Sequence, residues 1–212
     1  MPTLLHIEAS PRQQRSHSSA VARAFIEAYC EHHPGDSVDT WDLWSADSPL
    51  IEFDGDALTA KYAARLGTAS HSPGEQAAWA EVTRQADRLL RADKLLFSVP
   101  MWNFGVPYRF KHWVDVVTQP GLTFRPDPVK GPQGLIKAGK ALLVSARGGT
   151  YAPDTLNEAL DLGTPYVRRW LSMVGVHDLS VIGIDGTGAP PEAVEKARGR
   201  AIAKARSLAL DF

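Results

Sequence analysis

The chain has 212 residues and a formal net charge of −1, from 23 basic and 24 acidic side chains. That length suffices for one domain burying roughly 70% of its unfolded surface without a disulfide or a metal, and the even charge lacks the basic excess of a nucleic-acid surface. A single cysteine, Cys30, excludes an intramolecular disulfide and fits the reducing cytoplasm, while no apolar run approaches the roughly 18 residues of a membrane span.

The N-terminus, MPTLLHIEAS, has no basic start before a long apolar stretch and does not read as a signal peptide. Thr3–Glu8 is a short apolar strand, followed by a polar loop over Ser10–Ser19. Ser18–His32 places Val21, Ala24, Phe25, Ala28 and Tyr29 at helical spacing, with Ser18 or Ser19 as N-cap. Cys30 lies in this apolar run and reads as a small buried hydrophobe rather than a reactive thiol. Ser37–Leu43 alternates as a second strand, and residues 44–72, with Pro49, Gly55 and Gly67, leave room for a short helix at Ala57–Leu66. Gly74–Ala92 is amphipathic and helical, Lys94–Pro100 is a third, buried strand, and Pro107–Thr118 is helical again. Gly121–Gly139, rich in proline and glycine, forms an ordered excursion or hairpin before a fourth strand at Lys140–Ala146. Asp154–Val174 reads as a helix kinked or restarted near Pro165, Leu179–Ile184 as the last strand, and Glu192–Leu210 as the last helix, introduced by Pro190 and Pro191. The Arg-rich stretches Arg84–Arg91 and Arg198–Arg206 read as solvated helix faces.

Apolar strands alternating with helices predict an α/β fold, a five-stranded parallel sheet in the flavodoxin-like order 2-1-3-4-5 with helices on both faces. No linker, repeat or low-complexity run divides residues 1–212, so one domain is expected. Such sheets bind ligands outside the carboxyl ends of their strands, which directs attention to the loops after residues 8, 100 and 146. Ser10, Ser16, His17 and Ser18 lead into a helix whose free N–H groups suit a phosphate; the same serines also fit a plain helix cap. Met101-Trp102-Asn103-Phe104, beside Gly105, suits a flat heteroaromatic ring, or equally a turn whose aromatics face the core. Ala146-Arg147-Gly148-Gly149 permits close backbone approach, a weak signal alone. Their joint placement around one crevice suggests phosphate at the first loop and an isoalloxazine-like ring between the other two, hence FMN rather than a dinucleotide.

At these residues the chain resembles the bacterial FMN-dependent NADH-azoreductases and the related flavodoxin-like quinone reductases, from Leu4 to about Ala205. Ser10 followed by Ser16-His17-Ser18 matches the family's first loop, Met101–Phe104 its Met-Tyr-Asn-Phe, Thr123-Phe124-Arg125 its Thr-Phe-Arg, followed by the expected glycine-proline segment at Gly131–Leu135, and Ala146–Gly149 its Gly-Gly loop. The resemblance implies bound FMN, its phosphate on the first loop and its ring on the other two, and a homodimer with two sites at the subunit interface. It implies hydride transfer from NADH or NADPH through flavin N5 to quinones or azo compounds, donor and acceptor using one place in turn, with Phe124 as a wall of the substrate site and no catalytic side chain required. Trp102 for tyrosine, Ala146 for serine, His17 for glutamine and the longer segment 44–72 depart from the family pattern, which leaves substrate preference open. A flavodoxin-like electron carrier or FMN-binding regulatory module without small-molecule turnover is the alternative, disfavoured by the near-zero charge. A hydrolase would need the GxSxG elbow and a metal enzyme an HExxH or Cys/His spacing, none of which is present. His112 reads as a packing residue and His32-His33 as a helix end.

Overall fold

The structure, a computed structural model, describes residues 1–47, 49–66, 72–152 and 154–212; Gly67, noted above, lies outside them. Its strands are β1 (Thr3–Glu8), β2 (Ser37–Asp42), β3 (Lys94–Ser98), β4 (Phe124–Arg125), β5 (Gln133–Gly134), β6 (Lys140–Ala146) and β7 (Leu179–Ile184). Its helices are α1 (His17–His32), α2 (Gly55–Leu66), α3 (Pro73–Leu90), α4 (Tyr108–Val117), α5 (Gly163–Val174) and α6 (Pro191–Ala209). β2-β1-β3-β6-β7 form one sheet, every pair parallel, which is the expected 2-1-3-4-5 order once the separate β4–β5 hairpin is set aside.

The sheet is apolar on both faces because helices cover both. Along β1 the alternation is direct: Leu4 joins the cluster under α1 and α6, while Leu5 and Ile7 join the cluster under α3, α4 and α5. His6 is buried within this pattern, its Nε2 2.9 Å from Ser98 Oγ and its Nδ1 3.4 Å from Thr40 Oγ1. Burial, with Arg23 adding to it, pushes the His6 imidazole down to about 3, so it is neutral in the folded protein.

Local chemistry moves several boundaries. The cap of α1 lies two residues before the expected Ser18, because Ser16 accepts the Ser19 N–H, at 3.3 Å. α3 begins at Pro73, where Ser72 and Glu75 form a capping box. Of the helix expected at Asp154–Val174, the restart near Pro165 is found, α5 beginning at Gly163 with Pro165 in its first turn, where a missing N–H costs nothing; the part before it is corrected, because Glu158–Leu160 is only a short 3-10 turn. Cys30 is also corrected, because it is exposed: it follows the buried Tyr29, and a rotation of about 100° per residue carries it off the core face. Arg84, Arg91 and Arg198 pair with Glu81, Asp87 and Glu195 on their own helices, as solvated faces do. His112 Nε2 donates to the Ile51 carbonyl, 2.8 Å away.

The excursion after α4 is a hairpin, Phe124 opposite Gly134 and Arg125 opposite Gln133. It is anchored at the C-terminal end of α5, where a Cβ on Gly134 would lie 2.1 Å from the Gly175 nitrogen and from the Val174 carbonyl carbon.

Candidate active site

The crevice is built from three loops at the carboxyl ends of β1, β3 and β6. After β1 the chain makes a 3-10 turn at Gln13–Arg15 and enters α1. Ser10, Ser16 and Ser18 are all buried. Ser10 Oγ receives the Arg12 N–H at 3.4 Å, and Ser16 Oγ lies 3.2 Å from Ser18 Oγ. The first-turn N–H groups of His17 and Ser18 have no partner among the described residues, as helix starts require unless a ligand takes them. Ser19 Oγ is buried there without a partner. Burial first, then Arg12 and Arg198, hold the His17 imidazole below its ordinary value, with Glu195 opposing.

The loop after β3 is tied to the loop after β6 by the Met101 N–H, which donates to the Ala146 carbonyl at 2.9 Å. Trp102 and Gly105 then exchange both backbone hydrogen bonds, at 3.0 and 2.9 Å, around Asn103 (φ 47°) and Phe104 (φ 67°). Two successive positive φ values describe a type I′-like turn, a conformation that favours Asn-Gly and strains Phe104. It leaves Asn103 and Phe104 exposed. Trp102 packs against Trp44 and Tyr108, at 6.3 and 6.2 Å between ring centroids, so the start of the 44–72 segment reaches the site.

After β6, the carbonyls of Arg147, Gly148 and Gly149 accept from Thr187, Gly188 and Gly186 at 3.0, 3.3 and 3.0 Å. That consumes the acceptors of the loop and leaves the Gly148 and Gly149 N–H groups without partners among the described residues. The Arg147 side chain turns away from the crevice, to Asp161 and Asp185.

A cavity of about 250 Å³ is lined by Ser10, Arg12, Ser16, His17, Pro100, Met101, Trp102, Ala146, Gly148 and Thr187. Of the expected site residues it gathers Ser10, Ser16, His17, Met101, Trp102, Ala146 and Gly148. Ser18 lies behind the serine cradle, and Asn103 lines an adjoining hollow of about 540 Å³ with Trp102, Tyr108, Lys111, Leu162 and Tyr166. Burial and Asp115 raise the Tyr166 phenol to about 12, so it is a neutral donor there. A larger open hollow of about 1020 Å³ lies on the far side of Arg147, among Tyr151, Leu156 and Arg168. Thr164 and Pro165 of the first turn of α5 line it, beside Asp161 and Glu158, and no serine does. Phe124 is not brought to the crevice within one chain. Its hairpin sits at the C-terminal end of α5, whose other end meets Gly105, about 18 Å away for 12 residues.

Sequence reasoning missed Arg12 and Thr187. Thr187 follows β7, and extending the strand-end rule to the fifth strand would have found it. The residues present fit FMN: buried hydroxyls and free helix-start N–H groups suit a phosphate, and free glycine N–H groups beside an aromatic floor suit the polar edge of a flat ring.

A family model described as flavodoxin-like fold matches residues 2–209. An FMN-dependent NADH:quinone oxidoreductase of Nitratidesulfovibrio vulgaris is 41% identical over the full length of both chains. A second, from Pseudomonas syringae pv. tomato, is 40% identical over 97% of each. Among solved structures, an azoreductase from Bacillus anthracis superposes with a TM-score of 0.89 at 27% identity over the whole of both chains. Sequence and structure together place the chain in the flavodoxin-like family of FMN-dependent NADH:quinone oxidoreductases.

Proposed function

We propose that this protein uses FMN to carry hydride from NADH or NADPH to quinones and azo compounds in a ping-pong cycle, as a cytoplasmic homodimer with residues 1–212 as one domain. The observation that carries this reading is the meeting, in one crevice, of Ser10, Ser16 and His17 at the start of α1 with Gly148, whose N–H has no partner among the described residues. The names of the relatives support it. Ser10, Ser16, His17 and Ser18 would hold the phosphate. Met101, Trp102 and Phe104 would give the ring an apolar bed, and Asn103 with the Ala146–Gly149 backbone its hydrogen bonds. Bound FMN would supply the redox chemistry, accepting hydride at N5 and returning it to the acceptor. The chain's own part is to bind, orient and exclude water, and none of its side chains need act as an acid.

A single crevice and no second nucleotide fingerprint support alternating occupancy by donor and acceptor. Phe124 supports the dimer: lying far from its own crevice, it walls a substrate site only if it belongs to a second copy. Initial rates at varied NADH and quinone test the reading. Parallel double-reciprocal lines, with near one FMN per chain, are expected, whereas intersecting lines and a ternary complex mean two separate sites. Removing the Ser16 and Ser18 hydroxyls together should weaken FMN about tenfold or more per lost bond. Unchanged affinity removes the phosphate assignment.

A further inference from the structure

The geometry points to Arg147 as a positioning residue that fixes the 147–149 loop relative to the 101–105 turn through a buried ion triad with Asp161 and Asp185. This rests on the assignment of those two loops to the flavin ring. The guanidinium lies against β7: a Cβ on Gly183 would sit 2.2 Å from Nη2, so it fills the room of a side chain. Nη1 donates to Asp161 Oδ2 at 2.9 Å and Nε to Asp185 Oδ1 at 2.6 Å. All three side chains are largely buried.

Each carboxylate carries the constraint onward. The second oxygen of Asp185 accepts the Tyr151 N–H at 3.1 Å, which pins the far end of the 147–149 loop. Asp161 accepts the Thr164 N–H at 2.9 Å and the Thr164 hydroxyl at 2.7 Å, which sets the first turn of α5. From that turn the Leu162 N–H donates to the Phe104 carbonyl at 2.9 Å, and Gly163 is so close to Gly105 that a Cβ would lie 3.3 Å from its carbonyl oxygen. The path from one ring-facing loop to the other is therefore continuous, and it ends on the strained Asn103–Phe104 turn. A planar guanidinium reaches two carboxylates in fixed directions, as the point charge of a lysine does not. Misplacement of such a loop by about 1 Å is enough to change binding and rate by an order of magnitude or more.

The test is equilibrium dialysis of the FMN-loaded protein and its variants against FMN and against riboflavin, with thermal melts alongside. Asp161→Asn keeps the shape and the acceptor for Thr164 while weakening the Arg147 arm, and Arg147→Lys removes the bridging fork. Both are expected to fold cooperatively and to weaken FMN and riboflavin alike, by about tenfold. The FMN-to-riboflavin ratio should stay at its wild-type value, because the phosphate cradle is untouched. A merely structural role predicts a lower melting temperature with unchanged flavin affinities, and that result overturns the inference, as does loss of folding in both variants. Gly148→Ala, whose added methyl meets only open space in the chain, separates the two levels of argument. If it weakens both flavins while the triad variants do not, the positioning role alone fails. If it too changes neither affinity, the loops do not hold the ring and the underlying assignment falls as well.

Discussion

His6 lies inside the sheet with a hydroxyl at each ring nitrogen. Its folded value, about 3, is far below the 6.5 of an unfolded chain. As pH falls below about 6.5 the unfolded state takes up a proton that the native state refuses. The contribution of His6 is thus fully present above that pH and is lost as pH drops toward 3, by about 1.4 kcal/mol per pH unit. Urea melts between pH 7 and 4 should show this slope and a flatter one for His6→Gln; equal slopes would place the acid sensitivity elsewhere. His17 behaves differently, because its value is lowered without ligand and a phosphate dianion beside it would raise it. Phosphate binding then takes up a proton, and the ratio of FMN dissociation constants, His17→Gln over wild type, should grow as pH falls from 8 to 6. A growth of up to about tenfold is expected, the worth of a charged hydrogen bond; a pH-independent ratio would remove His17 from the phosphate site. Ser10 and Ser16 were legible as crevice residues because they follow a strand and precede a helix. The direction of the Arg147 side chain was not, because its partners are 14 and 38 residues away.

At the scale of elements, the turn over Trp102–Gly105 spends stability on geometry. Phe104→Gly would create the Asn-Gly pair that this turn favours and should raise stability by on the order of 1 kcal/mol. The same change removes an aromatic wall and loosens the turn, so FMN affinity should fall. Denaturant melts and FMN titration of one variant check both halves, and a variant that gains stability and keeps its affinity shows that the strain serves no ligand. The five strands could be read from apolar segments separated by helices, most clearly β1, β3 and β6, which are buried on both faces, and their order followed from the fold pattern that five such strands suggest. The restart of α5 near Pro165 could be read too, but not the loss of helix ahead of it: Leu156 and Leu160 keep a helical spacing in the sequence, yet both are exposed, and Asp161 accepts the Thr164 N–H of a helix that starts after them.

Across the whole molecule, Trp102, Phe104, Tyr108, Leu156, Leu160 and Leu162 are large apolar side chains exposed around one end of the sheet. A patch of that kind is costly in water and is the sort of surface that a second copy or a ligand covers. Light scattering should give a dimer, and Leu162→Glu should shift it toward monomer with loss of turnover; an active monomer would refute the shared site. Phe124→Ala should raise the acceptor KM and leave FMN binding unchanged, because its hairpin is remote from the cradle of its own chain. Its sequence motif was readable, but not its place, because the excursion between α4 and β6 carries no periodicity that says which end of the sheet it covers.

That hairpin touches the rest of the chain backbone to backbone, Gly134 on Val174 and Gly175 with no room for a methyl group. Two glycines on separate segments therefore form one fastening, and neither can drift in sequence without the contact being remade. The outer turn between Arg125 and Gln133, largely exposed, is under no such restriction. The hairpin is in effect a fixed foot with a free tip: residues between Arg125 and Gln133 can be exchanged while the foot on α5 stays as it is.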